Sequence, residues 1–256
     1  MNILQAKGIQ KTYAGKVAYQ ALNDVDLTIG KGEFVGIMGP SGSGKTTLLN
    51  VVSTIDRPTS GSVLINGSNP YELSQEKLAR FRRRELGFVF QSFNLLDTMT
   101  VRENIMLPLT LEGAGVEDMK SRAGEMAEKL GIAGIMDKRT YEISGGQAQR
   151  TAIARALIHK PNLLLADEPT GNLDSGAARD VMSLMEGLNK NEGATMMLVT
   201  HDAMAASYCD RVVFIKDGRT YSEVRRGDSR SEFYNQIMQV LSLLGGSGHE
   251  LSTIRV

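Results

Sequence analysis

The stretch Gly39-Pro40-Ser41-Gly42-Ser43-Gly44-Lys45-Thr46 reads G-x-x-x-x-G-K-[ST], a pattern that binds phosphate. Glycines let a tight loop turn its N–H groups inward, and a helix that starts at the loop adds positive dipole. Lys45 supplies a point charge for the outer phosphates, the Thr46 hydroxyl is a ligand for Mg²⁺, and Thr47 carries the loop into the helix. Further on, Leu163-Leu164-Leu165-Ala166-Asp167-Glu168 is an apolar run that ends in two carboxylates. There Asp167 can hold the Mg²⁺ shell and Glu168 can orient or deprotonate a water. A glycine-rich turn or an acidic helix cap would account for either stretch alone. The two in this order point to nucleoside triphosphate chemistry, which leaves kinases, GTPases, helicases and transport ATPases open.

These residues need elements that bring them together. Phe34–Met38 reads as a buried strand before the loop, and residues 47–52 as the helix after it. Residues 3–13 and 17–29 read as two early strands. In the second, Val25, Leu27 and Ile29 alternate with Asp24, Asp26 and Thr28, the pattern of a sheet with one wet face. A short strand over 61–67 and a helix over 74–84 follow. That helix carries Lys77, Arg80, Arg82, Arg83 and Arg84, read as a solvated face rather than a lipid or acidic-partner contact. Strand 86–90 leads to Gln91. From there to about residue 160 the pattern is helical, with Met119, Ala123, Met126, Ala127 and Leu130 at core spacing. Strand and helix then alternate again: strand 163–166, helix 177–190, and strands 195–199 and 211–215. That alternation predicts a largely parallel sheet. Phe233, Ile237, Val240, Leu241 and Leu244 mark an amphipathic C-terminal helix, and Gly245-Gly246-Ser247-Gly248 opens a tail expected to be mobile.

Composition narrows the field. Lys+Arg and Asp+Glu both number 29 in 256 residues, so no global basic field argues for nucleic acid. The single cysteine, Cys209, excludes an internal disulfide and reads as a small packed residue. Met1–Lys7 is not a signal peptide, and no apolar run approaches the length of a membrane span. The expectation is a soluble chain whose membrane role, if any, runs through a partner.

Ile143-Ser144-Gly145-Gly146-Gln147 decides between the NTPase classes. Serine and two glycines at a helix start make a second anion site. The stretch resembles the LSGGQ signature of ATP-binding cassette transporter nucleotide-binding subunits, with Ile143 at the usual leucine. The resemblance covers about residues 1–225, and further motifs stand in family order. Tyr13 matches the adenine-stacking aromatic. Gln91 matches the glutamine that links Mg²⁺ and the attacking water to the transmembrane partner. Asn172-Leu173-Asp174 matches the loop that talks across the dimer, and His201 the histidine at the γ-phosphate.

The resemblance implies a P-loop NTPase core: a mostly parallel sheet with helices on both faces, an antiparallel β subdomain, and an inserted α-helical subdomain over about 92–160. Residues 226–256 would form a C-terminal helix and flexible tail. It further implies ATP and Mg²⁺ as ligands and a head-to-tail dimer in which Ser144, Gly145, Gly146 and Gln147 meet the nucleotide of a second copy. Glu168, His201 and Gln91 would be catalytic; Thr46, Gln91 and Asp167 would hold the metal; Asp174 would lie at the nucleotide interface. Residues 90–98 and 205–218 look most like the bacitracin-resistance branch of the macrolide-export and lipoprotein-release subfamily. That branch implies two ATPase copies on one permease at the cytoplasmic face of the membrane, with signalling to a sensor histidine kinase. A soluble cassette ATPase working on ribosomes or DNA is the rival. It usually carries two cassettes or a coiled-coil insertion, and this chain has neither.

Overall fold

The computed structural model describes residues 1–15 and 17–245, so the tail expected from Gly246 onward lies outside the described residues. In chain order the elements are β1 (Asn2–Tyr13), β2 (Tyr19–Gly30), β3 (Phe34–Met38), α1 (Lys45–Val52), β4 (Ser60–Ile65), α2 (Gln75–Glu85), β5 (Leu86–Phe90), α3 (Val101–Leu111), α4 (Val116–Lys129), α5 (Gly145–Leu157), β6 (Leu163–Asp167), α6 (Ser175–Glu192), β7 (Met196–Val199), α7 (Ala203–Ala206), β8 (Arg211–Lys216), β9 (Arg219–Arg225) and α8 (Arg230–Leu244).

Two sheets organise them. A six-stranded sheet runs β5-β6-β7-β3-β8-β9, parallel up to β8. A three-stranded antiparallel sheet runs β2-β1-β4. The central strands β3, β6, β7 and β8 are nearly continuous apolar runs because both faces are covered. Successive side chains on a strand point to opposite faces. Val35, Ile37, Leu163, Leu165, Met197, Val199, Val213 and Ile215 accordingly join one core with α1 and the small sheet. Phe34, Met38, Leu164, Ala166, Met196, Leu198, Val212 and Phe214 join the other, with α3 to α8. Cys209 is packed into that second core, where burial pushes its thiol well up. The C-terminal helix packs on the domain through buried Phe233, Ile237 and Leu244.

Three features depart from the sequence reading. The helical pattern from Gln91 is broken until Val101, because Asn104, Arg155 and Glu103 hold an irregular loop. The Asn104 amide donates to the carbonyls of Leu96 and Thr100 and accepts from the Leu96 N–H. Thr100 and Glu103 form a reciprocal cap on α3. The basic run of α2 is not simply solvated: Arg82 donates to Thr54, and Arg83 and Arg84 both pair with Glu112. Lastly, β9 pairs with β8 although its side chains, mostly polar and exposed, carry no strand pattern. The Asp217-Gly218 turn before it, with φ of 50° and 71°, was the available signal.

Arg211 joins the roots of these strands. Only 6 % exposed, it donates to Glu33 at 2.5 Å, to Glu223 at 2.7 Å and to the Thr28 carbonyl. Burial alone would raise the Glu33 carboxyl, but Arg211 and the Gly30 N–H together hold it below the usual range. A depressed carboxylate stabilises the fold above its ordinary titration range, and that contribution is lost as pH falls through the depressed value. Arg211→Met is expected to cost roughly 2–3 kcal/mol in denaturant unfolding at neutral pH. The gap between variant and parent should narrow in acid.

Candidate functional site

Parallel register builds the site. Phe90 lies opposite Asp167, Asp167 opposite Val199, and Val199 opposite Ile37. Gln91, Glu168 and Thr200-His201 therefore leave neighbouring strands at the same C-terminal edge as the Gly39–Thr46 loop, where open α/β sheets bind ligands.

The loop itself is glycine-dependent. Gly39, Gly42 and Gly44 have φ of 151°, 74° and 105°. A Cβ on Gly44 would stand 2.5 Å from the Ala21 carbonyl oxygen. The Lys45 ammonium donates to the carbonyls of Gly39 and Pro40, both at 2.9 Å. Burial lowers its pKa, against the pull of Glu168 and Asp167. Burial, then the Glu168 charge, raises the Asp167 carboxyl, and Lys45 opposes them. Glu168 sits at φ 47°, a strained conformation for a non-glycine residue and one found at functional sites. Its Oε1 is 2.8 Å from His201 Nδ1, and its Oε2 accepts from Thr200 Oγ1 at 3.4 Å. The His201 side chain is 73 % exposed.

Tyr13 flanks the loop, 37 % exposed, with the Lys11 ammonium 4.9 Å from its ring centre. Burial raises its phenol; Thr47 works against this and Asp56 with it. Gln91 is tied to Asn172. Its Nε2 donates to Asn172 Oδ1 at 3.2 Å, and its carbonyl accepts from Asn172 Nδ2 at 3.1 Å. Asp174 caps α6, accepting from the Gly176 and Ala177 N–H groups at 2.9 Å, which lowers its carboxyl. Ser144 and Gln147 form a reciprocal capping box at the start of α5. Gly145 lies against Leu173 and Phe93, and Gly146 against Ala177. The structure thus gathers the loop, Tyr13, Asp167, Glu168 and His201, and Gln91 leaves the adjoining strand. Ser144, Gly145, Gly146 and Gln147 start α5 instead, with Gly145 against Leu173 and Asn172 and Gly146 against Ala177 of α6.

The residues fit the expected ligands. Ser43 Oγ is buried without a protein partner inside the loop, and N–H groups there open onto the α1 start. Thr46, Gln91 and Asp167 are hard oxygen donors, which suits Mg²⁺. Among the described residues no three His, Cys, Asp or Glu cluster tightly enough to hold a metal. A magnesium site of this kind shares phosphate oxygens.

Sequence reasoning missed Tyr19 and Arg155, and read Asn172 only as part of the loop that talks across the dimer. The Tyr19 hydroxyl donates to the Gly42 carbonyl at 3.1 Å. Asn172 holds Gln91. Arg155, on α5, donates to the carbonyls of Phe93 and Asn94, two successive residues with positive φ. No local pattern flags these pairs, which are 23 to 81 residues apart.

Residues 22–171 match the ABC transporter family model, and the chain belongs to that family. It is 59 % identical over 255 residues to the ABC transporter ATP-binding protein YxdL of Bacillus subtilis, covering 100 % of this chain and 99 % of that one. It is 50 % identical over 248 residues to the bacitracin export ATP-binding protein BceA of Halalkalibacterium halodurans, covering 96 % and 98 %. Among solved structures, the dimeric ATP-binding cassette MJ0796 in a post-hydrolysis state with ADP and Pi superposes with a TM-score of 0.79. It is 40 % identical and covers 88 % of this chain and 99 % of its own. The chain is an ATP-binding, ATP-hydrolysing subunit of an ABC transporter. It uses ATP with Mg²⁺, dimerises, and pairs with transmembrane permease subunits. No helix among the described residues is long and apolar enough to cross a membrane.

Gly44→Ala is expected to weaken ATP binding at least about tenfold, read by nucleotide titration. Circular dichroism should show the fold retained.

Proposed function

We propose that the chain powers a permease for resistance to, and sensing of, bacitracin-like peptide antibiotics, from the cytoplasmic face of the membrane. The bacitracin export relative supports this branch: its match covers 96 % of the chain and so runs past residue 225. The solved cassette leaves a larger part unmatched. The alternative is the ATPase of a lipoprotein-releasing or macrolide-export complex, since relatives with those names also match. A sensor histidine kinase, reached through the permease, would read the antibiotic state. Residues 1–225 act as the ATPase domain with the helical subdomain at about 92–160, followed by the C-terminal amphipathic helix, which packs on it.

The roles follow the chemistry. Tyr13 stacks on adenine, and the N–H groups of residues 39–47 with Lys45 hold the phosphates. Thr46, Gln91 and Asp167 would hold Mg²⁺, which supplies neutralisation of phosphate charge. Glu168 orients a water for attack on the γ-phosphorus, and the bond to the ADP oxygen breaks. His201 holds Glu168 and meets the γ-phosphate. Ser144, Gly145, Gly146 and Gln147 of a second copy close over that phosphate, with Asp174 at the junction. The observation that carries this is the Glu168–His201 contact at the sheet edge beside Lys45, while the chain's own Gly145 lies against Leu173 and Asn172.

Glu168→Gln is expected to bind ATP, stay dimeric and turn over about a hundredfold more slowly or worse. Near-normal turnover would remove Glu168 from its role. Mixing a Lys45→Ala copy with a Ser144→Arg copy leaves one intact composite site if the serine acts across the dimer. ATPase activity well above that of either variant alone is then expected, and no recovery would sink the arrangement.

The permease surface is read as the loop and helix of residues 91–109. A groove of about 400 Å³ there is lined by Thr98, Met99, Glu103, Met106, Leu107 and Thr110. Leu107→Asp is expected to abolish co-purification with the permease while ATP binding persists. Unchanged co-purification would place the contact elsewhere.

A further inference from the structure

The histidine limb, residues 200–210, is anchored at both ends, and the His201 side chain on it is largely exposed. Thr200 N–H donates to the Ile37 carbonyl at its start. Asp210 exchanges hydrogen bonds with Phe34 at its end, through its N–H and its carboxylate. Between them lie His201, whose side chain touches Glu168, and the short helix α7. A four-residue helix cannot fix its own position. Something must pack on it.

Strand β3 and helix α6 pack on it, and the C-terminal extension adds the most extensive contact. Helix α8 packs on α7, and Phe233, Ile237 and Leu244 share a core with Ala203, Ala205, Ala206 and Tyr208. Two arginines at the head of the extension grip the limb directly. Arg226, 13 % exposed, donates to the Tyr208 carbonyl at 3.2 Å, and lies 2.8 Å from Glu186 of α6 and 3.4 Å from Asp210. The Arg230 guanidinium stacks 4.3 Å above the ring of Tyr208, which is 3 % exposed. Glu186 thereby ties the limb to α6, the helix that Asp174 caps.

We propose that Arg226 and Arg230 are positioning residues for His201, so that the extension beyond residue 225 sets the geometry of the Glu168–His201 pair. The inference rests on the role given to His201 above. It makes the extension part of the catalytic apparatus through its contacts to residues 203–210. Arg226 fixes the carbonyl and Arg230 the ring of Tyr208, seven residues from His201 along a limb with one helical turn. Loss of either lets α7 shift against α8, and the imidazole moves with it.

The test uses the full chain with ATP and Mg²⁺. Arg230→Ala and Arg226→Met are each expected to lower kcat about five- to tenfold with KM for ATP within about twofold. Arg226→Lys should recover part of the loss by keeping a charge near Glu186 and Asp210. Amide exchange should quicken over residues 201–208 and stay unchanged in α1 and α5. In a His201→Ala background neither change should cost further activity, because residues acting through one group are not additive. Losses that multiply in that background would overturn the inference. So would unchanged kcat in both arginine variants while His201→Ala is inactive. Full activity in His201→Ala would remove the histidine's role and this inference with it. Arg230 is half exposed, so Arg230→Ala still decides the matter if Arg226→Met does not fold.

Discussion

The structure depends on the alignment of four buried parallel strands. Once β5, β6, β7 and β3 pair in register, their last residues stand in a row, and Gln91, Glu168, His201 and the glycine loop emerge side by side. A slip of one residue in any pair would send every apolar side chain of that strand to the wrong core. The division of alternate residues between two cores therefore fixes the catalytic geometry as firmly as it fixes the fold. Stability and chemistry share one cause here.

Residues 144–147 begin a well-capped helix whose first residue, Gly145, lies against Leu173 and Asn172. Asn172 also holds Gln91 through a pair of amide hydrogen bonds. Three elements with different duties thus meet at Asn172. The two amide hydrogen bonds tie Gln91 and Asn172 together at the surface.

Polar side chains with several partners position most of the irregular backbone. Asn104 ties down the loop before α3, Arg155 holds two left-handed residues after Gln91, and Arg211 joins β8 to β9 and the β2–β3 turn. Arg226 does the same for the limb that carries His201. Such groups are largely buried, so removing one strands its partners without water. The functional loops are therefore held by the frame and need little regular structure of their own.

The sequence by itself determined the chemistry and the strands that carry it. Lys45, Asp167-Glu168 and Ser144-Gly145-Gly146 are short motifs whose spacing is local, and buried parallel strands are written as unbroken apolar runs. It also fixed the amphipathic helix after residue 230 by its period. Only the tertiary structure decided which strand neighbours which, that Gln91 is held by Asn172, and that Arg155 and Arg226 brace distant loops. It also made β9 a strand despite its polar surface, because β8 offered a free edge one turn away. The physical reason is range. Periodicity and capping depend on neighbours a few residues apart, whereas a polar side chain's partner is chosen by the packing of elements that the chain order does not place together.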